Sequence, residues 1–252
     1  MLGPARATEL VHGLAFVNYA TAPVAYGASR VDRPLRVELV GPAGAGKSTL
    51  STSLVRQLQG APAEIWGLPV LPLLLNGARL IPTFTGLWLH SRSPLWDETR
   101  HMVRLRTLQR ALRRPEPPSP AVVVFDEGPI FALAWLRGFG HEALRQQPSA
   151  AWWAMALREW AAAMDAVIVL DAPDHLLAAR IRARAHPHEV KEFPDIEIAR
   201  WMARFRQALE WVLTEMTRHG GPAVVRLSSQ NEPVERIAAR VVQQLREIGH
   251  GR

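Results

Sequence analysis

The chain has 252 residues, enough for one α/β domain with its own core, and no cysteine, which excludes a disulfide framework, a zinc–thiolate centre and a cysteine nucleophile. Lys plus Arg number 30 against 23 Asp plus Glu, a net charge of +7. Lys47 and Lys191 are the only lysines, so the positive charge is carried almost wholly by guanidinium, the group that grips phosphate bidentately. That balance suits anionic small molecules, nucleic acid or an anionic membrane surface; no specific nucleic-acid partner is expected, and the expected location is cytoplasmic.

Residues 1–34 read as an N-terminal extension and residues 35–252 as one α/β domain. The apolar run at 10–28 contains His12, Asn18 and Pro23 and has only Arg6 ahead of it, which argues against a signal peptide. Leu35–Val40 is an apolar, β-prone run. It leads into Gly41-Pro42-Ala43-Gly44-Ala45-Gly46-Lys47-Ser48 and Thr49, which fit G-x-x-x-x-G-K-[ST]. In such a loop the glycines let main-chain N–H groups turn toward phosphates, the lysine reaches the β- and γ-phosphates, and the hydroxyl of Ser48 is offered to Mg²⁺. Leu50, Leu54, Val55 and Leu58 follow at helical spacing, so a helix N-terminus points at the phosphates.

A second strand is expected at Ala63–Trp66, with Glu64 a candidate base. Residues 67–90 are apolar but interrupted by Pro69, Pro72, Asn76, Arg79 and Pro82, which predicts a short helical pair over the substrate cleft rather than a membrane span. The pair opens a helical, acceptor-side insert at 67–115. Its last part, 98–114, reads as a basic amphipathic helix with Met102, Leu105, Leu108 and Leu112 on one face, able to touch an anionic substrate or lipid. Pro115–Pro120 stops that helix.

The third strand, Ala121–Phe125, runs into Asp126-Glu127-Gly128-Pro129. Carboxylates at the C-terminal end of a buried parallel strand stand on the ligand-binding rim, where Asp126 can hold Mg²⁺ and Glu127 or Asp126 can accept a proton. Trp135, Trp152, Trp153, Trp160, Trp201 and Trp211 fall in helical segments and are expected to pack. A fourth strand, Ala166–Leu170, precedes Asp171 and a helix on which Arg180 and Arg184 share a face at i, i+4, suited to charge developing on a transferred phosphoryl group. A fifth strand at Ala223–Leu227 and a closing helix at Pro233–Glu247 complete an alternation that predicts a three-layer α/β/α sandwich around a mostly parallel sheet.

Taken together, Gly41–Thr49, Phe125-Asp126-Glu127-Gly128, and Leu170-Asp171-Ala172-Pro173 with Arg180, Arg182 and Arg184 resemble the nucleoside and nucleoside-monophosphate kinases, thymidylate-kinase-like proteins in particular, over about residues 35–247. The resemblance implies a five-stranded sheet in the order 2-3-1-4-5, a lid at 180–195, and a loop at Ser228–Asn231, including Ser229, beside the adenine of ATP. Those proteins carry an Arg after the acid of the third strand; here Glu127 stands there. The expected activity is transfer of the γ-phosphoryl group of Mg-ATP to a small-molecule hydroxyl or phosphate acceptor, partly apolar in character. Lys47, Asp126, Glu127, Arg180 and Arg184 are the expected catalytic residues. A P-loop NTPase that hydrolyses rather than transfers, a nucleotide-binding protein at a membrane surface, and assembly as a homodimer all stay open.

Overall fold

The computed structural model describes residues 33–93, 95–113, 121–146, 149–185, 188–230 and 232–250. The expected N-terminal extension up to residue 32, the Pro115–Pro120 run, Asn231 and residues 186 and 187 of the expected lid lie outside the described residues.

Every residue of β1 (Leu35–Val40) is buried, because this strand is the middle of a five-stranded parallel sheet. It pairs on one side with β3 (Val122–Asp126) and on the other with β4 (Ala166–Asp171). Beyond them lie β2 (Ala61–Ala63) and β5 (Ala223–Ser228), giving the order β2-β3-β1-β4-β5. The near-continuous Val, Ile and Leu runs of β3 and β4 follow from this placement, since strands covered on both faces have no solvent side to mark with polar residues.

The period of two divides the sheet's side chains between two cores. Val37, Leu39, Val124, Ile168 and Leu170 face α1 (Lys47–Leu58), α7 (Asp174–Arg182) and α9 (Val234–His250). Val40, Val123, Phe125, Val167 and Val169 face α4 (Trp96–Leu112), α5 (Pro129–Phe139), α6 (Ala150–Ala163) and the middle of α8 (Asp195–Arg218). In α8, Ile198, Met202, Phe205, Leu209, Val212 and Met216 form one buried stripe at helical spacing, and α5 is its main partner.

The second strand lies earlier than the expected Ala63–Trp66. As an edge strand it pairs only with β3, and Pro62 is tolerated there because an edge strand leaves half of its ladder groups without a partner strand. Past Ala63 the chain leaves the sheet, with Ile65 buried and Trp66 exposed. The expected helical pair forms as α2 (Val70–Arg79) and α3 (Ile81–Ser91). It packs on α4 and on a 3-10 turn at Glu142–Arg145, and none of its residues lines the pocket beside Lys47, which corrects the expected position over the cleft.

Candidate active site

At the end of β1 the chain must turn sharply beneath β4. Gly41 takes φ 153°, and a Cβ there would lie 1.9 Å from the carbonyl oxygen of Leu170, so no other residue fits. Gly44 and Gly46 also take positive φ, 83° and 92°, and Gly46 is the N-cap of α1. The resulting loop curls around Lys47, whose Nζ donates to the carbonyl oxygens of Gly41 and Pro42, both at 2.9 Å. Enclosure of the ammonium pushes its pKa down to about 8, against the opposing pull of Asp126 and Glu127.

Register in the sheet sets the acid opposite the loop. Leu39 of β1 pairs with Asp126 of β3, so the carboxylate emerges on the same rim, and one Asp126 oxygen, Oδ1, is buried without a hydrogen-bond partner. An anionic oxygen left in that state is costly unless a cation or donor completes it. Ser48 and Thr49, in the first turn of α1, are exposed to solvent at the same mouth. Glycine-built turns, an enclosed lysine and an acceptor oxygen awaiting a partner fit a magnesium–polyphosphate ligand. The described residues contain no cluster of three or more His, Asp or Glu that would cage a metal by itself, which accords with the way Mg²⁺ is usually held, by few carboxylates plus substrate oxygens.

Asp126 is followed by a tight reversal. Glu127 adopts φ 54°, in the left-handed region, and its carboxylate accepts a 2.7 Å hydrogen bond from Trp66 Nε1. The next turn, opening α5, is capped by a residue that the motifs do not announce. Glu38, fully buried in β1, accepts from the backbone N–H of Ile130 at 2.8 Å and of Phe131 at 2.7 Å. Desolvation raises its pKa to about 8 in spite of those bonds. The signal for it in sequence is a carboxylate inside an otherwise apolar central strand.

Between the loop and the helices lies a cavity of about 200 Å³. Lys47, Asp126, Glu127 and Arg184 form its polar end; Phe131 and Trp135 of α5 with Trp201 and Phe205 of α8 form an aromatic wall. Trp152, Trp153 and Trp160 are buried in the core as expected; Trp135 and Trp201 also pack against the core, from half-buried positions, and in addition line this cavity. The wall is braced from behind: His101 of α4 stacks on Trp135 with ring centroids 4.4 Å apart, and Trp66 meets His101 edge-on at 5.3 Å.

The two arginines expected on one helical face are separated. Helix α7 ends at Arg182, and Arg184 lies past it, at the mouth of the cavity. Arg180 turns the other way, donating to Ser229 Oγ and Ser229 O, both at 2.9 Å, and to Gly44 O at 3.3 Å. It thereby ties the phosphate loop to the loop after β5 and lines a second recess with Thr49 and Ser229. Glu64 is exposed and outside the cavity.

A family model described as an AAA domain matches residues 37–208, from the middle of β1 into α8. The chain belongs to the AAA domain family. No curated protein matches this AAA domain protein in sequence. Among solved structures it is similar to deoxyadenosine kinase from M. mycoides with bound dCTP, at 14% identity and a TM-score of 0.52, over 84% of this chain and 100% of that one. It is similar also to the YorR protein from Bacillus subtilis in complex with phosphorylated GDP, at 14% identity and a TM-score of 0.51, over 86% and 98%. A shikimate kinase from Bacteroides thetaiotaomicron matches at 16% identity and a TM-score of 0.46, over 84% and 98%. The five parallel strands in the order 2-3-1-4-5, covered by helices on both faces, are the P-loop kinase fold.

Proposed function

We propose that this protein is an ATP-dependent phosphotransferase that moves the γ-phosphoryl group of Mg-ATP to a small molecule held against the aromatic wall. The observation that carries the reading is the direct pairing of β3 with β1, which sets Asp126, with its unpartnered buried oxygen, on the rim beside Lys47. In P-loop ATPases that activate water a further strand separates these two, so the pairing supports transfer over hydrolysis. The nucleotide ligands named for the deoxyadenosine kinase and YorR structures, and the kinase activity named for the first, are consistent with it.

In this reading Lys47 exchanges the carbonyls of Gly41 and Pro42 for the β- and γ-phosphate oxygens. Ser48 and Asp126 would hold Mg²⁺, which when bound neutralises charge on those oxygens. Glu127 or Asp126 takes the proton of the acceptor hydroxyl as its oxygen bonds to phosphorus; the bond from phosphorus to the bridging oxygen breaks, and ADP leaves. Arg184, at the cavity mouth, supplies positive charge as the phosphoryl group transfers. Arg180, bound to Ser229 and Gly44, shapes the recess for the nucleotide's base and is a positioning residue.

The thymidylate-kinase-like resemblance belongs to this reading at the level of the nucleotide half of the site. On the acceptor half, Glu127 and the tryptophans replace the arginine of those proteins, which favours an acceptor with a flat or apolar body. A second reading is water activation by Glu127, whose carboxylate lines the polar end of the same cavity beside Asp126. Incubating the protein with Mg-ATP and a panel of hydroxyl and phosphate acceptors, scored for ADP, separates the two. Release that depends on one acceptor and disappears in Lys47→Ala supports transfer. Equal release with no acceptor sinks it.

A further inference from the structure

Helix α2 is amphipathic in the wrong sense for a soluble protein. Its face toward α4 carries Asn76, whose Nδ2 donates to Pro72 O at 2.8 Å and to Thr107 Oγ1 at 3.1 Å, while Val70, Leu71, Leu74 and Leu75 form a stripe that is 53% to 69% exposed. A helix seated on a core by its apolar face shows the reverse. The stripe continues across the 64° bend into α3, where Ile81 is 58% and Leu89 77% exposed, and on to Trp96 at the start of α4. Scattered apolar side chains at a surface need no account; a contiguous set of this size marks a docking site.

Charge identifies the occupant. Residues 65–96 contain no Asp or Glu, and the cations beside the apolar stripe, Arg79 and Arg92, are exposed. A second copy docking through a two-fold axis would bring this patch against itself, with arginines facing arginines and no carboxylate within the patch to receive them. An anionic bilayer supplies both halves of what the patch lacks: acyl chain for the leucines and phosphate for the guanidinium groups. Trp88 and Trp96, whose rings lie 6.0 Å apart, are of the type that settles at the headgroup boundary.

We infer that α2 and α3 together seat this protein on an anionic membrane surface, lying in the plane of the interface with the stripe Val70, Leu71, Leu74, Leu75, Ile81 and Leu89 in the outer acyl region. Neither helix is long enough to span by itself, at 10 and 11 residues where about 20 are needed; the two together have the length, but they bend by 64° and the buried face of α2 is fixed to α4 through Asn76, which favours lying in the interface. The inference is independent of the phosphotransfer reading, since it uses no residue of the cavity.

The test is co-sedimentation of the full chain with vesicles of phosphatidylcholine containing phosphatidylglycerol, and with phosphatidylcholine alone. Wild type is expected to bind the anionic vesicles and to be released by salt. L71E/L74E, checked for native circular dichroism, is expected to bind at least about tenfold more weakly. R79Q/R92Q removes only exposed charge and is expected to lose about fivefold per arginine on the anionic vesicles alone. Wild-type protein that remains in the supernatant overturns the inference, as does L71E/L74E binding at full strength, which would leave another segment responsible. So does a shift of L71E/L74E from dimer to monomer in sedimentation velocity with vesicle affinity unchanged, which would assign the stripe to a second copy.

Discussion

Trp66 Nε1 donates a 2.7 Å hydrogen bond to the carboxylate of Glu127, joining the segment after β2 to the turn after β3. Glu127 sits in the left-handed region, where a side chain with a local polar partner is tolerated at a cost of about 1 kcal/mol. The indole therefore helps hold a strained residue in a fixed direction at the cavity. Trp66→Phe keeps the ring against His101 and removes the donor. It is expected to lower kcat/KM for the acceptor about fivefold, consistent with one partly exposed charge-assisted bond. Nucleotide affinity, measured by calorimetry, is expected to stay unchanged, and an equal loss in both would place Glu127 on the nucleotide side.

Lys47 gives a pH signature. Burial holds its pKa at about 8, below the ordinary 10.5, so the free protein carries a charged Lys47 below pH 8 and loses that charge above it. Between about 8 and 10.5 the unfolded chain binds the proton that the folded chain has released; stability gains from this group as pH rises through that window. Polyphosphate binding needs the charged form. Affinity for ATP is expected to be flat below pH 8 and to fall by up to about tenfold per pH unit above it, with proton uptake visible when calorimetry is repeated in buffers of different ionisation enthalpy. Lys47→Met is expected to bind weakly at every pH, with no proton uptake.

The parts of this molecule that were legible in sequence are those written locally. The phosphate loop is one continuous segment, and β1, β3 and β4 are largely apolar because helices cover both their faces, whereas β5 is a half-exposed edge strand still marked by Val224, Val225 and Leu227. The edge strand β2 was misplaced, since three residues containing Pro62 and paired on one side carry too little pattern to fix a register. The aromatic end of the cavity was the least legible: Trp66 reaches Glu127 across 61 positions, and Trp135 looks like any core tryptophan until the fold sets it on the cavity wall. Arg180 and Arg184 illustrate the remaining failure. Their spacing predicts one face only while the helix lasts, and α7 stops at Arg182.

That separation predicts two different kinetic outcomes. Arg180 touches Ser229 and Gly44 and no part of the cavity, so Arg180→Ala is expected to raise KM for ATP severalfold with little change in kcat. Arg184 lines the cavity with Lys47 and acts on it electrostatically, and Arg184→Ala is expected to lower kcat by about a thousandfold or more, the scale for loss of an arginine acting on a transferring phosphoryl group. Steady-state kinetics with the acceptor found by the screen reads both. Equal effects of the two variants on kcat would return Arg180 to the transferring group.

Glu38 joins stability to the site. It is the cap for the first turn of α5, and Gly128 leaves room for it: a Cβ on Gly128 would stand 2.8 Å from Glu38 Cδ and Oε2. Glu38→Ala leaves the N–H groups of Ile130 and Phe131 buried without acceptors, an expected loss of about 2–5 kcal/mol in urea unfolding. Glu38→Gln is milder yet still loses one bond, because its amide nitrogen meets a backbone donor where a carboxyl oxygen had accepted. The pH dependence separates this from simple packing loss. The folded pKa, raised by desolvation to about 8, exceeds the ordinary 4.5, so the folded chain holds a proton the unfolded chain has released; stability from this group is greatest below about 4.5 and is lost as pH climbs through 8. Wild type is therefore expected to lose stability between pH 5 and 8 relative to Glu38→Gln, by on the order of a few kcal/mol. Parallel stability curves for the two proteins across that range would mean that Glu38 is ionised in the folded state, with the α5 N-terminus outweighing its burial.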